Sequence, residues 1–329
     1  MKEDNKLRVA VVGVGHLGRY HLEKYLSMPM VDLIGVVDIN PSRLKEITHQ
    51  YKVRGFLNHQ DIIDNVDAVS IAVPTEVHFD VAMDFLSKGI HILVEKPITY
   101  KIEDADLLLN KAKETGVVLQ VGLVERFNPA VIRMKSLVRE PIFMESHRMN
   151  LFTVRGTDVD VVLDLMIHDI DIILDIISSD VRDIHAVGMS VVTDKIDIAN
   201  VRIIFENGTA ANLTASRVSG RMLRKIRVFQ PESYISADCG KRRVTVTSHD
   251  KSRKDRHGFP RITTEKVEFP GSDPLADEIL SFINSVRNGH KPVVSGNDGK
   301  KALEVALCII EQINSNSTGL NKRCLNQFL

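Results

Sequence analysis

LRVAVVGVGHLG, residues 7–18, decides the fold. Leu7 to Val12 is a near-continuous apolar run, the pattern of a parallel strand covered on both faces. Gly13, Gly15 and Gly18 follow at once, with His16 and Leu17 between them, and residues 16–27 continue as a helix pattern. A G-x-G-x-x-G set between a strand and a helix permits a tight turn and close approach of backbone to a pyrophosphate. The phosphates then rest on the positive end of the helix.

Outward from that motif the same scheme repeats. Residues 32–37 read as a second strand ending in Asp38, about 20 residues after the last motif glycine, where an acid hydrogen-bonds ribose hydroxyls and disfavours a 2′-phosphate. NAD is therefore expected over NADP, although Ser42 and Arg43 stand close by to accommodate a phosphate. The competing reading makes Asp38 a cap for the helix that opens at Pro41. Helix 41–51, a short strand near Val53, strand 68–73, helix 76–88, strand 90–94, helix 102–115 and strand 117–121 complete a doubly wound parallel sheet. Ligands of such sheets bind at the carboxyl ends of strands, which places Pro74, Thr75, Glu95, Lys96 and Pro97 at the binding edge. His78 reads either as a border of the nicotinamide pocket or as a helix start. An ammonium group at the Lys96 position would stabilise an alkoxide or polarise a carbonyl.

After Gly122 the pattern changes, so we expect an NAD-binding domain over 1–122 and a substrate-binding and oligomerisation domain over 123–329. A helix at 129–139 and a strand at 143–149 lead to DVVLDLMIHDIDIILD, residues 160–175. At about 100° per residue, Asp160, Asp164, His168, Asp171 and Asp175 share one helical face within roughly 80°. Asp169 falls on the far side, and Thr157 or Asp158 is the expected cap. Carboxylates are rarely buried without partners, so the stripe reads as a site wall. Beyond it, residues 181–192, 198–206, 209–218, 222–230, 233–238, 242–248 and 261–269 read as strands of a largely antiparallel open sheet. The charged stretch 251–257 reads as a solvated loop, and helices at 273–288 and 297–314 close the chain. The second domain is thus α/β as well.

Composition narrows the function classes. A chain of 329 residues with 43% hydrophobic content is long enough for two cored domains. With 43 basic and 43 acidic residues, it offers no global field for nucleic acid or a membrane surface. No apolar run reaches membrane-spanning length, and the short charged start enters a strand directly, so a cytoplasmic location is expected. Cys239, Cys308 and Cys324 are too widely spaced for a disulfide framework or a zinc site, and no metal is expected. His21 reads as helix packing. Arg217, Arg221, Arg224, Lys225 and Arg227 read as an exposed sheet face or subunit contact. Arg126, Arg148 and Arg155 carry guanidinium forks that match phosphate oxygens.

GVGHLG at 13–18, Asp38, PTEVH at 74–78, EKP at 95–97, RFNP at 126–129 and D-x-x-x-H at 164–168 occur in the order seen in the Gfo/Idh/MocA oxidoreductases, which the whole chain resembles. The flanking text is most similar to the branch of UDP-N-acetylglucosamine 3-dehydrogenases. It departs at Leu123, where that branch has His, and in the absence of the usual glycines before the central helix. The resemblance implies a homo-oligomer, dimer or tetramer, joined through the open sheet. It also implies oxidation of a secondary sugar hydroxyl, the 3-hydroxyl of the UDP-sugar, by bound NAD. Lys96, Asp164 and His168 take the catalytic positions, with Arg126 and Asn128 of RFNP on the substrate side. Neutral His168 is the expected base, because an ordinary imidazole titrates near about 6.5, and Lys96 the reverse assignment. Other readings are an inositol or free-sugar dehydrogenase, a glycosidase that borrows a hydride through NAD, and an NAD-sensing regulator.

Overall fold

The computed structural model describes residues 6–154, 156–157 and 159–325. The chain forms two compact units. The first runs to Val124 and includes Asp273–Lys301; the second comprises Glu125–Ser272 and the chain from Ala302 on.

In the first unit, β1 (Leu7–Val12), β2 (Val31–Val37), β3 (Gly55–Phe56), β4 (Ala68–Ile71), β5 (His91–Glu95) and β6 (Leu119–Gly122) form a sheet ordered β3-β2-β1-β4-β5-β6. Every pairing is parallel, and strand order reverses between β1 and β4. The expected doubly wound sheet is therefore present. The strands alternate with α1 (His16–Leu26), α2 (Pro41–Tyr51), α3 (His78–Ser87) and α4 (Ile102–Thr115). Asn40, with Pro41 following it, caps α2 by accepting from the Ser42 and Arg43 N–H groups, so the cap role once open to Asp38 falls to Asn40. Lys52 ends that helix in the left-handed region at φ 54°, which delays β3 to Gly55 rather than Val53.

One departure concerns the segment after Ser272. α7 (Pro274–Asn288) buries Ile279, Phe282 and Ile283 in the same core as Val9, Val11, Leu22 and Tyr25. Its start is tied by Lys24 Nζ to Asp273 at 2.6 Å, and Gln120 donates to the Glu278 carbonyl at 3.1 Å. Residues 273–301 thus pack with the first unit, interrupting the expected continuous block 123–329, because the apolar face of α7 completes the face that α1 presents.

The second unit holds β7 (Phe143–Met149), β8 (Val181–Met189), β9 (Ile198–Phe205), β10 (Ala210–Ser216), β11 (Leu223–Gln230), β12 (Ser233–Asp238), β13 (Arg243–Lys254) and β14 (Pro260–Glu268). Their order is β14-β13-β12-β11-β7-β10-β9-β8. The β7–β10 pair is parallel and the others are antiparallel, as the largely antiparallel reading requires. Alternate residues of β7 are buried, the period-two pattern of a sheet with one covered face. Residues 252–257 are exposed as expected, but the stretch is strand and turn rather than loop: β13 runs to Lys254 and turns into β14. Asp255 makes that turn by accepting from the His257 and Phe259 N–H groups, with Gly258 at φ 84°.

α5 (Pro129–Leu137) and α6 (Ile167–Ile176) also belong to this unit, as does α8 (Gly296–Leu325) from Ala302 on. The expected single helix over 160–175 is two pieces, a π turn at Val162–Met166 followed by α6. Val161, which precedes the π turn, brings no side-chain cap to it. Thr157 donates its hydroxyl to the Val154 carbonyl, and Asp158 lies outside the described residues. Among the described residues no helix is long and apolar enough to cross a membrane.

Candidate active site

The three glycines of the 13–18 loop do different things. Gly13 sits at φ 86°, and a Cβ there would lie 2.6 Å from the Ala72 carbonyl oxygen. A Cβ on Gly18 would collide with the Gly13 carbonyl, whereas one on Gly15 would meet nothing within 4 Å. Gly18 thus packs the loop on itself, Gly13 packs it against Ala72 and Val73 after β4, and Gly15 leaves its outer side open. Gly15 is also the N-cap of α1 and brings no side-chain cap to its first N–H groups. Orphan donors at an open helix start suit a pyrophosphate. His16 is exposed and lies edge-on to Tyr20 at 5.0 Å, and Leu17 is half-buried. At the end of β2, Asp38 is buried. It accepts from the Val14 N–H at 3.1 Å and the Asn40 N–H at 2.8 Å, and Arg43 Nη1 stands 3.4 Å away. The glycine loop and the ribose-side acid are therefore bonded to each other, and these residues fit a dinucleotide.

The Glu95–Lys96–Pro97 corner at the end of β5 is built from behind. Glu95 is buried, with Oε1 2.9 Å from His21 Nε2 and Oε2 accepting from the Lys96 N–H at 3.3 Å. Burial would raise the Glu95 carboxyl, but the His21 hydrogen bond and charge, with that of Lys96, hold it below the ordinary carboxylate range. His21 Nδ1 reaches Ser70 Oγ at 3.1 Å, and Tyr25 reaches the same oxygen at 2.7 Å. His21 is therefore a fully buried, bonded histidine rather than mere helix packing. Its partners lie 49 and 74 residues away, so no local spacing could reveal them. His78 opens α3, with Nδ1 2.9 Å from the Pro97 carbonyl and Nε2 2.9 Å from the Val73 carbonyl. Burial lowers its pKa despite those contacts. Pro74 is exposed and Thr75 half-buried on the turn before it. Lys96 is half-buried, with a cis bond to Pro97.

In the second unit, the acidic stripe does not form one wall. Asp160 accepts from the Ile196 N–H at 2.8 Å. Asp171 takes a bidentate pair from Arg126 at 2.7 and 2.8 Å, and Asp175 is shared by Arg126 and Lys135. Asp169, placed on the far side, is buried against Arg148 at 2.6 Å. Asp164, in the π turn, and His168, in the first turn of α6, are half-buried. π turns widen the helix and recur at functional sites. Gly156, at φ 74°, lies so close that a Cβ would sit 2.7 Å from Asp164 Oδ2.

Three substrate-side expectations need correction. Arg126 is enclosed by Asp171 and Asp175, so its fork is already matched. Arg148 is buried between Asp169 and Glu125, whose charges raise its pKa well above the ordinary value despite burial. Asn128 donates to Glu125 and the Cys239 carbonyl and caps α5 through the Ala130 N–H. Buried cations gather carboxylates because an unpaired charge there costs several kcal/mol. Arg155 lies outside the described residues. Arg217, read as surface, is buried: it donates to the Gly156 and Val159 carbonyls at 2.7 and 2.6 Å, beside Asp197 at 3.7 Å. It holds the segment that contacts Asp164, a role no spacing announced. Among the described residues no group of three or more His, Cys, Asp or Glu is arranged to hold a metal ion.

The family model GFO_IDH_MocA, described as an oxidoreductase family with an NAD-binding Rossmann fold, matches residues 7–123. The chain is 38% identical over 303 residues to UDP-N-acetylglucosamine 3-dehydrogenase of Acidithiobacillus ferrooxidans, covering 92% of this chain and 95% of that protein. The solved structure of that dehydrogenase, GnnA, matches with a TM-score of 0.88 at 35% identity, over 94% of this chain and 98% of that one. Myo-inositol 2-dehydrogenase of Thermotoga maritima is 27% identical over 318 residues, covering 90% of this chain and 93% of the relative. With one relative of this identity along nearly its whole length and the family model on its dinucleotide unit, the chain belongs to the Gfo/Idh/MocA oxidoreductase family.

Proposed function

We propose that this oxidoreductase uses NAD to oxidise the 3-hydroxyl of UDP-N-acetylglucosamine to the 3-keto sugar. The observation that carries the reading is the likeness to a UDP-N-acetylglucosamine 3-dehydrogenase over 92% of this chain and 95% of that protein. Gly13, Gly15, Gly18 and Asp38 would hold the cofactor, whose nicotinamide, when bound, accepts a hydride. His168 takes the hydroxyl proton. Asp164, four residues earlier, orients the imidazole or shares the substrate hydroxyl, and the Lys96 ammonium stabilises the alkoxide. Asp38 supports NAD over NADP, and Arg43 beside it marks where a 2′-phosphate would meet a cation. The half-exposed alternate face of the C-terminal sheet, with Val187 and Met189 on β8, supports a homo-oligomer.

A second reading, oxidation of a free cyclitol or sugar, is favoured by one observation. Arg126 and Arg148, the guanidinium groups expected at a diphosphate, are buried against carboxylates. The test is NADH absorbance after mixing purified protein with NAD, or with NADP, and UDP-N-acetylglucosamine, an aminotransferase and glutamate removing the ketone. NADH is expected with the UDP-sugar, and His168→Ala should lower turnover by about 10²- to 10⁴-fold while NAD still binds. Reduction with myo-inositol alone moves the assignment to the second reading. No reduction with any sugar overturns both.

A further inference from the structure

We propose that Arg217 is a positioning residue for Asp164: anchored by Asp197, its guanidinium holds the Gly156 and Val159 carbonyls, and so keeps the Gly156 backbone against the Asp164 carboxylate. This rests on the reading of Asp164 as the residue that orients His168 or shares the substrate hydroxyl.

Three stretches of the second unit meet at Arg217. The residue follows β10 directly, is 4% exposed, and donates from Nη1 to the Gly156 carbonyl at 2.7 Å and from Nη2 to the Val159 carbonyl at 2.6 Å. The fork is planar, so neither carbonyl can turn away without losing a charge-assisted bond. The guanidinium is itself held. Its Nε stands 3.7 Å from Asp197 Oδ1, and the Arg217 N–H donates to the Asp197 carbonyl at 3.1 Å. Asp197 is fully buried, and its carboxylate accepts from the Val191, Val192 and Thr193 N–H groups at 2.8, 2.7 and 2.9 Å and from the Thr193 hydroxyl at 2.7 Å. The turn between β8 and β9 thus wraps the anion that faces Arg217.

The third side of the junction is the approach to the π turn. Ile196, next to Asp197, donates to Asp160 Oδ1 at 2.8 Å and accepts from the Val161 N–H at 2.8 Å. The Asp164 N–H donates to the Asp160 carbonyl at 3.0 Å, so the Asp164 backbone is tied through Asp160 to the same turn. Its side chain meets Gly156, where a Cβ would lie 2.7 Å from Oδ2 and 2.9 Å from Cγ. Glycine at φ 74° lets the chain come this close. Backbone and side chain of Asp164 are therefore placed from one cluster built on the Asp197–Arg217 pair. Stability alone does not call for such a pair, because burying two charges costs about as much as their attraction returns. An apolar residue at 217 could fill the volume but could not hold two carbonyls at fixed points, and a site carboxylate needs fixed surroundings.

The test compares wild-type protein with Arg217→Met, Arg217→Lys and Gly156→Ala. Arg227→Met, which breaks an ion pair to Glu145 elsewhere on the same sheet, is the control. NAD reduction with UDP-N-acetylglucosamine gives kcat and KM, amide hydrogen exchange reads peptides spanning 156–166 without substrate, and thermal melts show which variants fold. Arg217→Met should lower kcat by about 10- to 100-fold, the cost of a misplacement of about 1 Å, leave the KM for NAD unchanged, and speed exchange in that stretch. Arg217→Lys, which keeps the charge and one donor direction, should recover part of kcat. Gly156→Ala leaves the fork in place and should lower kcat by displacing the carboxylate directly. Arg227→Met should change neither kcat nor that exchange. Wild-type kcat in Arg217→Met overturns the proposal, as does a loss that follows the melting point in every variant, the control included. If Arg217→Met does not fold, Arg217→Lys and Gly156→Ala decide, and wild-type kcat in both overturns it. If the wild type oxidises no sugar, the substrate reading falls and the exchange comparison decides: unaltered exchange at 156–166 in the Arg217 variants overturns the proposal.

Discussion

Gly15 and Gly18 lie three residues apart, yet a methyl group would find open space at one and backbone at the other. Gly15→Ala should cost less than about 1 kcal/mol, because alanine is only a weaker N-cap than glycine. It should lower NAD affinity at least about tenfold, equivalent to about 1.4 kcal/mol, since the open side is where a pyrophosphate would approach. Gly18→Ala should instead destabilise the fold by at least about 1–3 kcal/mol, the range for overpacking. Calorimetric titration with NAD and thermal melts separate the two; equal behaviour would contradict the division of roles. The spacing of these glycines was legible from residues alone, because the motif is local. The partners of His21, Ser70 and Glu95 were not, because α1, β4 and β5 meet only in the folded unit.

At the scale of one element, the helix from Asp160 to Asp175 shows where a pattern misleads. Its charged positions share a face only on an uninterrupted 3.6-residue helix, and the π turn at Val162–Met166 rotates everything after it. Within α6 the spacing still holds: Asp171 and Asp175 both reach Arg126 while Asp169, on the opposite side, reaches Arg148, so most of the acids answer cations of the same unit. Arg148→Met should cost about 3–5 kcal/mol, the usual loss when one partner of a buried pair goes, because Glu125 and Asp169 remain buried without it. The pH dependence follows from Glu125. Burial would raise its carboxyl, but Arg148 and Asn128 hold it below the ordinary value of 4.5. Its contribution is therefore complete above that pH and is lost as pH falls from there through the lowered folded value. Urea melts from neutral to acid pH should show this loss in the wild type. In Arg148→Met the loss should begin at higher pH.

On the scale of the whole molecule, the first unit is closed by a helix that the chain supplies only after building most of the second. Phe282 on α7 is fully buried among residues of β1, β2 and α1. Phe282→Ala should cost about 3–5 kcal/mol, the range for emptying a core aromatic site. The loss should appear as a lower melting point that saturating NAD partly restores, since a ligand binding only the folded form stabilises it. An unchanged melt would detach α7 from this core. By itself the sequence determined the alternation of strands and helices, the glycine loop, Asp38 at the end of β2 and the EKP and D-x-x-x-H signatures. Each is a periodicity or spacing within one or two neighbouring elements. Only the tertiary structure decided that α7 joins the first unit, that Arg126, Arg148 and Asn128 are bound internally, and that His21 stands behind Glu95. Those outcomes depend on which distant surfaces bury one another, and a buried charge takes whichever partner the packing brings within reach.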